Sequence, residues 1–444
     1  MRSISATCFF TLIIGCASTG AKAERIVATP RPSINDVGIR QVAHEISASL
    51  NLADLLDLAA RQNPDLIAAR AKVDEAQGKV IQAGLYPNPT VGYLGNQIND
   101  GPGTSGQQGG FISQEIVTGG KRKVAQSAMG HGLTAAEQHA VTRWFEIAAR
   151  VRIAYAEAMT ARAVAKEADI VLLEFETGLA KAEALARAGT ALAYEVSRWR
   201  VEVHQARFRS AVAKQRVETA DRMLAAAVGM PQLPAPVENT ALSSDVPILN
   251  FDALATVADN SPAIADVASR VEQARCEVHL AELQNVPNVT IQAGAAQDAI
   301  SNSAIANVQT AVTLPVWNRN QGNVRAAQAR LAAAVADVEK LRLQQRERLA
   351  AAVQKAENAR RQIELLDRNI LPDANKAVDQ VRQIYEARGE RFFELLDAQK
   401  TLAQARIDRL DMLGSLHAAL AEIEAACQRM NGQSGDPNTD SKGQ

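Results

Sequence analysis

Glu394 and Asp397 stand three residues apart, so a helix through them carries both carboxylates on one face. Acids placed in this way attract cations where several copies converge on one constriction, and are ordinary solvated charge where they do not. Both readings are open at this point. Arg187, Arg198, Arg388 and Arg391 lie near two glycines, Gly189 and Gly389, with Glu195 as a candidate partner. They offer ion pairs between neighbouring helices, each weak at an exposed surface. Other chemistry is sparse. His44, His131, His139, His204, His279 and His417 are scattered, and none pairs with a second ligand at metal-binding spacing. Cys8 and Cys16 fall in the first segment; Cys276 and Cys427 make neither a disulfide framework nor a zinc site. They read as small apolar helix residues or as a single bridge. No nucleophile–base motif or phosphate-cradling glycine loop occurs. The chain therefore reads as no enzyme, with no cofactor and no metal site. With 48 basic and 49 acidic side chains, it has no global pull toward nucleic acid.

The two glycines separate long helices. Apolar residues make up 47% of the chain but aromatics only 4%, a mixture suited to helices packed closely through small side chains. From Lys121 to about Ala186 nothing breaks a 3,4 pattern that runs through Trp144, Ile147, Val151, Ala154 and Ala158. Such a helix is ~100 Å long. A partner runs from Leu192 to Gly229 through Val196, Trp199, Val203 and Ala206. Leu331, Ala334, Val338 and Leu341, and then Leu395, Ala398, Leu402 and Ala405, form equivalent seams for left-handed pairing. Gly189 and Gly389 suit the tight reversals between them, because glycine takes positive φ without steric cost. Pro372 stands where the earlier helix has Leu172, and predicts a bend there.

The chain is in fact written twice. Leu52–Tyr93 matches Phe251–Gly294, with Asn63-Pro64 on Ser261-Pro262, and Pro87-Asn88 on Pro287-Asn288 after a short insertion. Ala188-Gly189-Thr190 likewise falls on Arg388-Gly389-Glu390. Each copy reads as one opening helix, a strand pair, a long helix, a glycine turn and a second long helix. The opening helix of the first copy takes Leu55, Leu58, Ala59, Leu66, Ala69 and Val73 as one stripe and stops at Pro87. The strands are expected over Thr90–Gln97, Phe111–Thr118, Val289–Ala295 and Val308–Leu314, separated by Asn- and Gly-rich turns at Asn99–Gly103 and Ser301–Ser303. The expected organisation is 1–23 export signal, 24–50 linker, 51–240 first repeat, 241–428 second repeat and 429–444 disordered tail.

Arg2, an apolar stretch from Cys8 to Gly15 and the small residues that follow form an export signal. Cleavage after Ala23 at Ala21-Lys22-Ala23 competes with a lipoprotein-type site ending at Cys16, whose thiol would be lipidated. After that segment no run of ~18 apolar residues is available for a membrane helix, whereas the strands approach the ~9–11 residues that cross a bilayer. Four strands per chain do not close a barrel, since the smallest have about eight. Open edges in lipid leave backbone groups unsatisfied. Strands in a membrane therefore require several chains to share one barrel.

At these residues the chain resembles the TolC-type outer-membrane factors, over roughly residues 50–428. The resemblance rests on the duplicated plan, on Tyr385-Glu386-Ala387-Arg388-Gly389 followed by Leu395-Leu396-Asp397-Ala398-Gln399, and on Gly119-Gly120-Lys121-Arg122. The last string is similar to the branch that includes outer components of cobalt–zinc–cadmium export systems. The resemblance implies a mainly α chain with a small β part. Its helical hairpins would form a periplasmic tunnel, and its four strands would contribute to a shared 12-stranded outer-membrane barrel. It implies a homotrimer in outer-membrane lipid, no catalysis, and two partners: a periplasmic adaptor and an inner-membrane pump of the resistance–nodulation–division type. It places Glu394 and Asp397 at the periplasmic gate, Gly189 and Gly389 at the tip turns, and Arg391, Arg198 and Tyr385 in a candidate latch. Glu390 stands where the family carries a basic residue. The implied function is an exit duct for small solutes, with metal cations favoured. Drug efflux or secretion through the same kind of duct, or a periplasmic coiled-coil scaffold, are the alternatives.

Overall fold

Asn63 and Pro64 divide what the periodicity suggests as one opening helix. In a computed structural model, which describes residues 49–97, 106–189, 192–246, 249–299, 301–388 and 391–428, α1 (Leu52–Gln62) ends there and α2 (Pro64–Gly84) begins. Pro64 at the first helical position has no N–H to continue α1, and Asn63 takes an extended conformation with φ −65° and ψ 121°. Its Oδ1 accepts from the Asp65 N–H at 3.0 Å, while its Nδ2 donates to the carbonyls of Ala227 and Val228 at 3.1 and 3.2 Å. The break is thus a buried anchor. The second copy repeats it at Ser261, between α5 (Phe251–Asp259) and α6 (Pro262–Leu283). The export segment with Cys16 and Ala23, the linker up to residue 48, the turn at Asn99–Gly103, Gly389, Glu390 and the tail 429–444 lie outside the described residues.

Strands β1 (Thr90–Asn96), β2 (Gln107–Ile116), β3 (Val289–Asp298) and β4 (Ser303–Val312) form one antiparallel sheet in the order β1-β2-β3-β4. The two copies meet at the β2–β3 pair. Strand β2 starts at Gln107 rather than at Phe111. The added residues include Gly109, where a Cβ would stand 2.0 Å from the Ala295 carbonyl oxygen, so only glycine fits. Hydrophobic alternation cannot report a strand built from glycine.

The helices follow the repeat. In the first copy α3 (Lys121–Arg187, 67 residues) pairs with α4 (Ala193–Val228). In the second, α7 (Gln321–Leu365) leads through a π-helical turn (Leu366–Ile370) into α8 (Leu371–Arg388), which reverses into α9 (Phe392–Cys427). The π turn immediately precedes Pro372, and the Leu371 N–H bonds the Leu366 carbonyl five residues back. Lacking an N–H, Pro372 breaks the regular ladder, and the helix absorbs this by widening for one turn. The first copy has unbroken α-helix at the matching place.

One core joins α1, α3 and α4 through Leu55, Ile147, Val151 and Leu224, and a counterpart joins α5, α7 and α9 through Leu349, Ile363 and Leu416. Between copies, α3 and α9 approach so closely that a Cβ on Gly414 would meet Thr160 Oγ1 at 2.3 Å. The Arg216 guanidinium fastens the same junction, 2.8 Å from Glu157 and 2.9 Å from Asp411.

Candidate duct: the strand sheet and the helical tip

Two adjacent ladder rows show what the sheet is built for. Val91, Ile112, Ala293 and Val308 stand opposite one another across the four strands. The next row holds Thr90, Ser113, Gln292 and Gln309. Because side chains alternate along a strand, these rows belong to opposite faces. One face is apolar, and Val91 and Val308 on it are 77% and 78% exposed within the chain. The other is mostly polar; it also carries Leu94, Ile305 and Phe111, whose ring covers Gly92 on β1. Strands β1 and β4 each have an unpaired edge among the described residues. An apolar outer face, a polar inner face and two open edges are the geometry of a barrel segment in lipid.

At the far end of the helices, α3 reverses into α4 at Gly189, whose φ is +78°. A tip core of Phe175, Trp199, Tyr385, Phe392, Leu395 and Leu396 gathers α3, α4, α8 and α9. Trp199 stands edge-on to both Phe175 and Phe392, with ring centroids 5.9 Å apart in each case. Glu394 and Asp397 are exposed, while Leu395 and Leu396 between them are buried. Among the described residues, no cation or hydrogen-bond donor pairs with either acid. The helix thus spends its apolar side on the core and offers both carboxylates outward.

The candidate latch residues are placed differently from one another. Tyr385 is buried in the tip core, and its hydroxyl and the Trp199 indole N–H both lack a partner within hydrogen-bond geometry among the described residues. Burial pushes the Tyr385 phenol above its ordinary pKa; the Glu195 charge adds to this, and Trp199 acts in the opposite direction. Arg198 lies 3.5 Å from Glu202 on its own helix. Arg187 donates to the Glu183 carbonyl, also within its own helix. Arg391 is exposed at φ +65°, the residue from which α9 starts. Nearer the tip than the Arg216–Asp411 pair, Lys400 of α9 pairs with Glu202 of α4 at 2.6 Å. Sequence reasoning passed over this pair, although a signal was present. Glu202 falls on the stripe of Trp199, Val203 and Ala206, where an acid is out of place unless it is paired.

Cys276 and Cys427 are free thiols. No helix of the described residues is long and apolar enough to cross a membrane, and no cluster of three or more His, Cys, Asp or Glu among them is placed to hold a metal ion.

The sequence matches the family described as outer membrane efflux protein over residues 55–230 and 253–427, one stretch for each copy of the repeat. The chain belongs to that family. Among relatives, it is 27% identical to the cobalt-zinc-cadmium resistance protein CzcC of Cupriavidus metallidurans, over 86% of this chain and 90% of that protein. It is 26% identical to the pyoverdine export outer membrane protein OpmQ of Pseudomonas aeruginosa, over 95% and 96% of the two chains. The fold is shared with a crystal structure of CusC, at 18% identity and a TM-score of 0.74, covering 88% of this chain and 95% of that one. It is also shared with the outer membrane protein VceC from Vibrio cholerae, at 19% identity and a TM-score of 0.72, covering 85% and 96%. As an outer membrane efflux protein, the chain is an exit duct without catalytic activity. It is an outer-membrane protein with a large periplasmic part.

Proposed function

We propose that three copies close one 12-stranded barrel, with the helices completing a periplasmic tunnel beneath it, and that metal cations pass through this duct. The unpaired edges of β1 and β4 carry this reading. Four strands do not enclose a pore, and pairing β4 of one chain with β1 of the next satisfies every open edge in lipid. The duct takes its cargo from an inner-membrane pump of the resistance–nodulation–division type through a periplasmic adaptor that docks at the tip turns, Gly189 and Gly389. Glu394 and Asp397 line the constriction there, and Tyr385, Arg198 and Arg391 belong to the contacts that hold it closed. Support for metal as cargo comes from relatives named for cobalt-zinc-cadmium and nickel-cobalt-cadmium resistance. The likeness to OpmQ favours pyoverdine export as a second reading.

Light scattering in mild detergent tests the assembly: a homotrimer is expected, and a monodisperse monomer overturns it. Deleting the chain's gene tests the cargo. Metal cargo predicts lower tolerance of cobalt, zinc or cadmium; unchanged tolerance with loss of pyoverdine export selects the second reading.

A further inference from the structure

Lysine and arginine are absent from the sequence between Lys79 and Lys121, and again between Arg275 and Arg319. Those two intervals hold all four strands and both turns at the distal end of the sheet. Because the sheet is antiparallel in sequence order, the four connections to helices all lie at its other end. There the cations return at once, as Lys121, Arg122 and Lys123 after β2, and as Arg319 and Arg325 after β4.

One of these five is structural. Lys121 is 6% exposed, and its Nζ donates to the Val286 carbonyl at 2.5 Å and to Asn288 Oδ1 at 2.7 Å, pinning the start of α3 to the second copy. The Arg122 guanidinium lies over the Tyr86 ring, 3.3 Å from its centroid. Arg319 and Arg325 flank a turn that side chains hold rigidly. Asn320 Nδ2 donates to the Ala281 carbonyl at 2.8 Å, Asn323 Nδ2 to Asn320 Oδ1 at 2.6 Å, and the Arg319 N–H to Gln321 Oε1 at 2.8 Å. Both arginines line a cleft of about 450 Å³, together with Asn285, Gln321 and Gln328. Its one acid is Glu282, 3.8 Å from His279 Nδ1. No carboxylate pairs with Arg319 or Arg325 among the described residues.

We propose that this cleft, between the end of α6 and the start of α7, binds the headgroup phosphate of an anionic phospholipid. Two arginine forks match the non-bridging oxygens of a phosphate, and neutral amides supply further donors without opposing charge. The neighbouring chain selects a lipid over a free phosphate. Trp317 is 90% exposed and Leu314 72% exposed on the same connection, and Tyr86 is 68% exposed beside Arg122. Amphipathic rings and apolar side chains at a sheet end belong at the depth where headgroups meet acyl chains. The distal end carries Asp298 and no cation, so anionic headgroups are favoured at the helix end alone. The inference rests on the strands lying in the membrane, and the experiment separates the two.

The purified protein in mild detergent is given equal amounts of phosphatidylglycerol and phosphatidylcholine, and retained lipid is identified by native mass spectrometry. Phosphatidylglycerol should be retained at least about fivefold over phosphatidylcholine, a preference that falls as salt rises. Arg319→Gln with Arg325→Gln should abolish the preference while phosphatidylcholine is still retained. Lys340→Gln, Arg348→Gln and Arg360→Gln together, on exposed positions of α7, should leave it intact. Equal retention of the two lipids by the wild type, or an unchanged preference in the double variant, overturns the proposal. So does displacement of phosphatidylglycerol by millimolar inorganic phosphate, which would mark a free-anion site. Retention of neither lipid would instead refute the membrane position of the sheet, and this proposal with it.

Discussion

Lys400 Nζ on α9 lies 2.6 Å from Glu202 Oε1 on α4, and the Glu202 side chain is only 2% exposed. One hairpin is thereby tied to the other through a buried charge. Lys400→Ala leaves that carboxylate without its nearest partner, a change that costs about 3 kcal/mol or more when a buried pair is broken. Arg198, 3.5 Å away, keeps the loss toward the lower end. Glu202→Gln removes the charge and keeps the shape, so a smaller loss is expected. Denaturant unfolding compares the two; small, equal losses would show that water screens the pair.

Glu394→Ala with Asp397→Ala tests the gate. Both side chains project from the buried Leu395 and Leu396 ridge into solvent, so their removal should leave stability within about 0.5 kcal/mol. In planar bilayers the double variant should lose cation preference and resist block by multivalent cations, since the charge that focuses the field is gone. Wild-type selectivity in the variant would place the constriction elsewhere.

Gly178→Ala should loosen the tip. A Cβ at this position on α3 would stand 2.4 Å from Trp199 Cη2, and Trp199 is 1% exposed and held between two phenylalanines. Better helix propensity offsets part of the overpacking, leaving a net loss of about 1–2 kcal/mol. Thermal unfolding and tryptophan fluorescence report it. An unchanged melting temperature would mean that the ring moves aside freely.

The two cysteines should react very differently. Burial, assisted by the Glu424 charge, pushes the Cys427 thiol up to about 11, whereas Cys276 is half-buried. Since the thiolate is the nucleophile, Cys427 should stay unlabelled by iodoacetamide near pH 8 and gain reactivity only as pH approaches its raised pKa. Cys276 should label first. Mass spectrometry after a timed pulse distinguishes them, and equal labelling at pH 8 would mean that the end of α9 opens readily.

Much of the helical part was legible because its signals are local. The 3,4 stripes of α3, α4 and α9 arise from side chains one turn apart, and Gly189 sits where a reversal needs positive φ. Asn63-Pro64 and Ser261-Pro262 were aligned as a repeated pair yet read as helix interior. The first break is held by what Asn63 bonds 164 and 165 residues away, in Ala227 and Val228, whereas Ser261 makes no side-chain cap and its break rests on Pro262 at the first helical position. The start of β2 was missed for a similar reason: Gly109 has no side chain to alternate, and its role is to let the Ala295 backbone approach.

By itself the sequence determined the duplicated plan, the four strands and the membership of an efflux family. It also determined that a strand sheet of this size cannot close alone. The plan, the strands and the open sheet follow from periodicity, repeat spacing and strand count, whereas the family followed from the resemblance of particular strings such as Tyr385–Gly389. Only the tertiary structure decided that β2 joins β3 and leaves β1 and β4 open, that Glu202 meets Lys400 between hairpins, and that Arg319 and Arg325 share one cleft. Those pairings join residues far apart in the chain. Their energies depend on burial and distance, and neither quantity exists until the helices have packed.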